Sequence, residues 1–268
     1  MENIINISDF NIQNVTFTLN QDKKSKRKMF FVNHNKKPIL LKTPQMFLPN
    51  GLKHWKSEAY PETFQMELSL GEDKLNKNNN EKIQMFKTKM EQLDELIKEQ
   101  ILKNPMDWIG KKTASKDTLD FVYPKLIVST PVDKDGKEYA PRMKVKVERE
   151  QDNGSFTGYF SSSTRNKTRV LVFDNENNNL DINESNCEEV MPPKSRAILL
   201  IQLVNINIVG DKVYPKWKLI QAKLYKNKSS KIETNVLGEE ENENDNENDN
   251  NNEDNLEQSI QEDLDTEE

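Results

Sequence analysis

The chain of 268 residues holds one cysteine, two histidines and only eight glycines, none of them clustered. A lone Cys187 excludes an internal disulfide framework and suits a reducing compartment. His34, His54 and Cys187 together fall short of an ordinary structural zinc set. Without a glycine cluster there is no phosphate-cradling loop of the nucleotide-binding kind. No apolar run approaches the ~18 residues of a membrane span, and Met1 and the residues up to Phe10 lack the basic-then-apolar layout of a secretory signal. A catalytic centre needs a base or nucleophile with an orienting partner. His34 lies among lysines and asparagines, and His54 precedes Trp55. Cys187 stands among Glu184, Glu188 and Glu189, whose charge raises a thiol pKa. Asp133 and Asp135 read as turn residues. The expectation is a protein that is not an enzyme, with no metal, no cofactor and no membrane.

What is present is an unusual division of charge. Residues 239–268 contain fifteen Asp or Glu, no Lys, no Arg and no aromatic. Such a segment buries too little apolar surface to offset the entropy of ordering, so a disordered acidic tail is expected. The whole chain carries 39 basic and 45 acidic residues, a net of −6. Residues 1–238 keep all 39 basic groups and 30 of the acidic ones, a net of +9. A basic body therefore carries its own polyanion. Asn-rich tracts at 78–80 and 177–179 read as low-complexity loop inserts.

The body reads as strands around one helix. Residues 14–19 alternate with period two, the run 22–28 is a basic loop, and 29–32, 38–41 and 64–70 are further strands. The stretch 41–52, with two prolines and a glycine, reads as a fixed loop. From 81 to 104 the apolar residues Ile83, Phe86, Met90, Leu93, Ile97 and Ile101 fall at helical spacing, and Pro105 follows. Residues 142–150 alternate, and Asp152-Asn-Gly154 is a hairpin signal leading into 155–160. Residues 197–209 and 213–225 form a long pair, the Ile and Val content favouring strand over buried helix. The predicted fold class is α+β, mainly antiparallel β: an OB-like barrel over residues 1–238, with a helical insertion at 81–104 and the tail at 239–268. Periodicity does not separate that barrel from other β-barrels.

Arg142, Lys144 and Lys146 stand at i, i+2 and i+4, roughly 6–7 Å apart along a strand. That repeat is close to the phosphate spacing of an extended single strand. Lys216 and Lys218 add charge, and Tyr139, Phe156, Tyr159 and Trp217 are the candidate stacking rings. Cations interleaved with rings suit sequence-tolerant single-strand binding, charge holding the backbone and rings accepting bases. Two readings stay open: a binding face, or an ordinary solvated face whose rings belong to the core. The tail likewise competes with nucleic acid for the basic face, or only solubilises.

One resemblance sharpens this. The pattern L-x-T-P-x-M-x-x-P-x-G-L at 41–52, Tyr139-Ala-Pro-Arg-Met-Lys-Val-Lys-Val147 and Trp217-Lys-Leu-Ile-Gln-Ala-Lys223 resemble proteins of nucleocytoplasmic large DNA viruses proposed as single-stranded DNA-binding proteins. Those are similar in turn to the replicative binding proteins of some tailed bacteriophages, which share an OB-type barrel and an acidic tail. The resemblance spans about residues 10–230. It implies single-stranded DNA as partner, replication proteins recruited through the tail, a host-cytoplasmic replication site or the virion as location, and admits a homodimer. The phage tails end in an aromatic; the last residues here, Leu264-Asp-Thr-Glu-Glu268, have none. The rival expectation is a non-enzymatic virion or assembly protein that binds genome or a protein partner.

Overall fold

Period-two alternation organises most of the chain into strands, and one 24-residue helix is laid against them. The structure is a computed structural model and describes residues 4–21, 27–56, 58, 61–73, 77–129, 132, 136, 138–163 and 166–225. These belong to one compact unit, Met1–Ser229. The expected tail at 239–268, the boundary at 238, residues 22–26 of the basic loop and the turn at 133–135 lie outside the described residues.

Among the described residues the strands are β1 (Ile5–Asn6), β2 (Val15–Gln21), β3 (Lys28–His34), β4 (Lys37–Leu48), β5 (Leu52–Trp55), β6 (Thr63–Ser69), β7 (Ile127–Val128), β8 (Arg142–Asp152), β9 (Ser155–Ser163), β10 (Thr168–Arg169), β11 (Leu171–Phe173), β12 (Asn179–Leu180), β13 (Ser195–Val209) and β14 (Lys212–Tyr225). The helices are α1 (Asn80–Lys103), α2 (Pro105–Ile109), α3 (Lys116–Val122) and α4 (Cys187–Val190). Most pairings are antiparallel; β1–β4, β11–β14 and β8–β14 are parallel. The structure is thus mainly antiparallel β with a long amphipathic helix, as the alternation predicts.

Five strands pair in a closed ring. β4 pairs with β6, β6 with β8, β8 with β14, β14 with β13, and β13 again with β4. Two of the junctions are narrow, recorded at Phe47↔Ser69 and at Lys218↔Lys146. Alternate residues of these strands are buried, among them Leu41, Phe64, Met66, Leu68, Met143, Val145, Val147, Leu199, Ile201 and Leu219. Each such side chain removed from water contributes roughly 1.5–3 kcal/mol. β8 serves two neighbourhoods. Its first half lies in the ring, and from Glu148 onward it pairs with β9 as an arm, closed by Asn153 (φ 49°) and Gly154 (φ 86°). Two successive positive φ values are what the Asn-Gly turn supplies.

The stretch 41–52 is not a loop. β4 runs through Thr43 and Pro44, and the ladder to β13 shifts register there, between Ile198 and Leu200. A bulge is where proline's missing N–H does no harm. The Thr43 hydroxyl accepts from the Leu199 amide at 3.0 Å and donates to the Pro44 carbonyl at 2.8 Å, so a side chain satisfies the amide that the bulge sets out of register. The turn after β4 is locked as well. Leu52 N–H donates to Met191 O at 2.9 Å, and Lys194 N–H to Leu48 O at 2.9 Å. At Gly51 (φ 61°) a Cβ would stand 2.2 Å from Met191 O.

α1 buries the expected stripe of Ile83, Phe86, Met90, Leu93, Ile97 and Ile101, and with it Asp94. Asp94 accepts from the Tyr123 hydroxyl at 2.5 Å and from the Leu126 amide at 3.0 Å, fastening the chain after α3 to the helix. Pro105 opens α2 at a position where its missing donor is not needed. Trp108 then stacks on Phe30, ring centroids 3.8 Å apart, and closes that end of the core.

Candidate nucleic-acid interface

Register decides which side chains share a face. In β8 Met143, Val145 and Val147 are buried, while Lys144 and Lys146 are exposed and Arg142 half-buried. β6 alternates in the same sense, burying Phe64, Met66 and Leu68. Their register sets Arg142 opposite Ser69, Lys144 opposite Glu67, and Lys146 opposite Gln65. On the far side of β6, β5 sets Lys53 opposite Gln65 and Trp55 opposite Thr63. On the far side of β8, Lys146 faces Lys218 of β14. Directly paired residues point to the same face. Lys53, Gln65, Lys146 and Lys218 therefore form one transverse row over four strands, each step about 4.8 Å. Lys144 stands beside that row, roughly 6–7 Å along β8.

The cations of this face differ in how far their charge is already spent. Lys144 and Lys146 have no hydrogen-bond or ion-pair partner among the described residues. Arg142 donates to Glu67 Oε2 at 2.9 Å, and Asn50 donates to the same oxygen at 3.0 Å. Lys216 pairs with Glu148 at 3.0 Å. Rings flank the charges. Trp55 is 44% exposed, with Lys53 Nζ 4.8 Å from its ring centre. Tyr139 is exposed, 5.7 Å from the Arg142 guanidinium. Beside Lys146 opens a groove of about 810 Å³, lined by Arg27, Lys28, Met29, Trp108, Val209 and Tyr214 among others. Tyr214 is exposed at its edge, close to the Gly210 turn that joins β13 to β14.

One of the sequence-derived choices is corrected. Trp217 is only 2% exposed and belongs to the core, so it offers no ring face to a base. Alternation demands this, because Lys216 and Lys218 point outward and the residue between them must point inward. Lys218 is on the expected face, with its stem buried and only 7% of the residue exposed. Burial lowers its pKa; Glu148 opposes that shift and Lys216 adds to it. Phe156 and Tyr159 lie on the β8–β9 arm beyond the ring, each already capped by a guanidinium. Arg149 sits 3.6 Å from the Phe156 ring centre and Arg169 3.7 Å from that of Tyr159. Arg149 is also held by Glu184 through two hydrogen bonds of 2.8 and 2.7 Å.

No family model matches the chain, and no curated protein matches it. Solved structures of one protein are similar to it. The single-stranded DNA-binding protein from bacteriophage Enc34 in complex with ssDNA aligns at a TM-score of 0.39 and 12% identity, over 79% of this chain and 96% of that one. Its C-terminal truncation aligns at 0.37 and 12%, over 79% and 95%. A further structure of that protein aligns at 0.32 and 11%, over 77% and 88%. Likeness at this level fixes no residue correspondence.

Lys53, Arg27, Lys28 and Tyr214 escaped the sequence reading. Lys-His-Trp in four-residue β5 alternates too briefly to be recognised, and Arg27 and Lys28 reach the groove only through the pairing of β3 with β13. The histidines serve packing. His34 is buried, its Nε2 accepts from the Asn11 amide at 3.3 Å, and burial lowers its pKa. His54 stacks on Phe64 with centroids 4.1 Å apart. Cys187 is buried, and its thiol is pushed up to about 11, first by burial and then by Glu188.

Proposed function

We propose that this chain is a sequence-tolerant single-stranded DNA-binding protein, without enzymatic activity, whose contact surface is the outer face of β5, β6, β8 and β14. The observation that carries the reading is the transverse row through Lys53, Lys146 and Lys218, with unpaired Lys144 beside it and exposed Trp55, Tyr139 and Tyr214 at its margins. Ammonium groups hold phosphates without regard to base. A ring accepts any base face at ~1–3 kcal/mol, which gives affinity without sequence readout. A duplex offers these rings no free base face and keeps only the charge contacts.

The closed ring of strands supports the same face independently. We read it as an OB-like barrel elaborated by α1, the β2–β3 pair and the β8–β9 arm. Barrels of that type bind oligonucleotides across strands two and three, between the loops joining strands one to two and four to five. Numbered along the chain, those are β6 and β8, residues 49–62, and the Gly210 turn. Charge, register and topology therefore converge on one surface.

The acidic segment 239–268 is proposed to compete for this face, its fifteen carboxylates set against a +9 body. Tethered carboxylates act at high effective concentration and are displaced by nucleic acid. A role in viral DNA replication, in host cytoplasm or virion, follows from the motif resemblance and is proposed with it. Gel shifts of single-stranded DNA, duplex and RNA at two salt concentrations test the reading. Preference for single strands supports it; equal binding of all three, or none, favours a packaging or assembly protein. Deleting 239–268 should tighten binding, most at low salt, and unchanged affinity at every salt would remove the tail from the mechanism.

A further inference from the structure

Glu148 stands at the point where β8 leaves the ring for the arm, with Ser161 of β9 as its register partner. Lys216 Nζ donates to its carboxylate at 3.0 Å, and both side chains are about 30% exposed. Two residues further along β14, Lys218 is nine-tenths buried and has no acceptor within hydrogen-bond or ion-pair distance among the described residues. Lys146 faces Lys218 across the parallel junction and is likewise without an acceptor. Lys216 and Lys218 of β14 thus share one stretch of the face with Lys146, and Glu148 pairs with the first of them alone. The Lys218 stem is buried while its ammonium still meets solvent, which leaves it open to an arriving anion. The Glu148 carboxylate is tied to its strand, and it bonds Lys216 without reaching Lys218. An anion arriving from solvent is under no such restriction.

We infer that Glu148 is a placeholder for a phosphate: when nucleic acid binds, one backbone phosphate displaces the Glu148 carboxylate from Lys216 and accepts from both Lys216 and Lys218. This rests on the single-strand reading of the face and adds to it a built-in competitor within the folded domain, separate from the tail. A phosphodiester presents two free oxygens, matching two ammonium donors where the carboxylate engages one. The lowered pKa of Lys218, caused by burial, agrees with a donor still short of an anion. At 30% exposure the displaced Glu148 turns into water without being stranded. The exchange also selects, since a ligand lacking a phosphate at this position leaves the Glu148–Lys216 pair intact and gains nothing from Lys218.

The test is a set of salt titrations with an unstructured oligothymidylate, using full-length protein as wild type, Glu148→Gln, Lys218→Met and the double variant. Glu148→Gln should bind roughly three- to tenfold tighter at low salt, the scale of one unit charge a few ångströms from a phosphate at a partly solvated surface. In the Lys218→Met background that gain should shrink to less than half, because the phosphate then lacks its second donor. Unchanged or weaker binding by Glu148→Gln, or an equal gain with and without Lys218, overturns the placeholder while leaving the face intact. A wild type that binds no single strand at any salt overturns the reading of the face itself, and the placeholder with it.

Discussion

The hydroxyl of Thr43 accepts a hydrogen bond from the backbone amide of Leu199 at 3.0 Å, joining β4 to β13 at the bulge that Pro44 creates. Both groups are buried, so the hydroxyl supplies the acceptor that the bulge withholds from the Leu199 amide. Thr43→Val keeps the shape and removes the acceptor, leaving a buried N–H unsatisfied at about 1–3 kcal/mol. Urea unfolding should show that loss for Thr43→Val and a much smaller one for Thr43→Ser. A loss in Thr43→Ser with little or none in Thr43→Val would mean that the methyl group, not the hydroxyl, is what matters.

The buried ion pair between Asp73 and Arg196 ties the chain before α1 to β13 through two hydrogen bonds of 2.9 Å each. Asp73→Ala removes both of these bonds from the guanidinium, and losing one partner of a buried pair typically costs ~3–5 kcal/mol. Thermal melts should show Asp73→Ala far less stable than the exposed control Asp152→Ala. Similar melting temperatures for the two would contradict the pairing.

Asp94 gives a prediction in pH. Burial raises its pKa in the folded state, against hydrogen bonds from Tyr123 and Leu126 that lower it. A group raised on folding contributes most below its unfolded pKa of ~3.9 and loses that contribution as pH climbs through the folded value. Asp94→Asn keeps an oxygen acceptor and cannot ionise. The stability advantage of wild type over Asp94→Asn should therefore shrink between about pH 4 and pH 7. Chemical unfolding at both pH values measures it, and an advantage that grows with pH would reverse the assignment.

Much of this architecture is legible in the sequence, for a physical reason. The stripe of Ile83, Phe86, Met90 and Leu93 and the alternation of Met143, Val145 and Val147 record which side of each element is dry. The chemistry of 41–52 is not legible so simply. Pro44 and Gly51 look like breakers, and only the opposing residues Leu199 and Met191 show that one sits in a bulge and the other in a turn too tight for a Cβ. Trp217 was misplaced by composition, because neighbouring lysines made it look like part of a basic face, although period two sets it on the other side. Lys53 is not recognisable in the sequence because a row over four strands is made by register, which no local pattern of four residues encodes.

Trp55 should report the bound strand directly. Of the three tryptophans, Trp108 and Trp217 are buried and Trp55 is exposed beside Lys53. Stacking on Trp55 predicts fluorescence quenching on adding oligothymidylate, lost in Trp55→Ala together with ~1–3 kcal/mol of affinity. Quenching that survives in Trp55→Ala would place the strand elsewhere.

Lys144 and Lys146, exposed and without partners among the described residues, are the centre of the account. The most direct measurement is the salt dependence of single-strand affinity for wild type and for Lys144→Gln/Lys146→Gln. Each phosphate contact contributes ~0.7 to the slope of log K against log salt for single strands, so the double variant should lose about 1.4 and weaken all sequences alike. An unchanged slope, or a loss confined to certain sequences, would contradict a phosphate-binding face on β8.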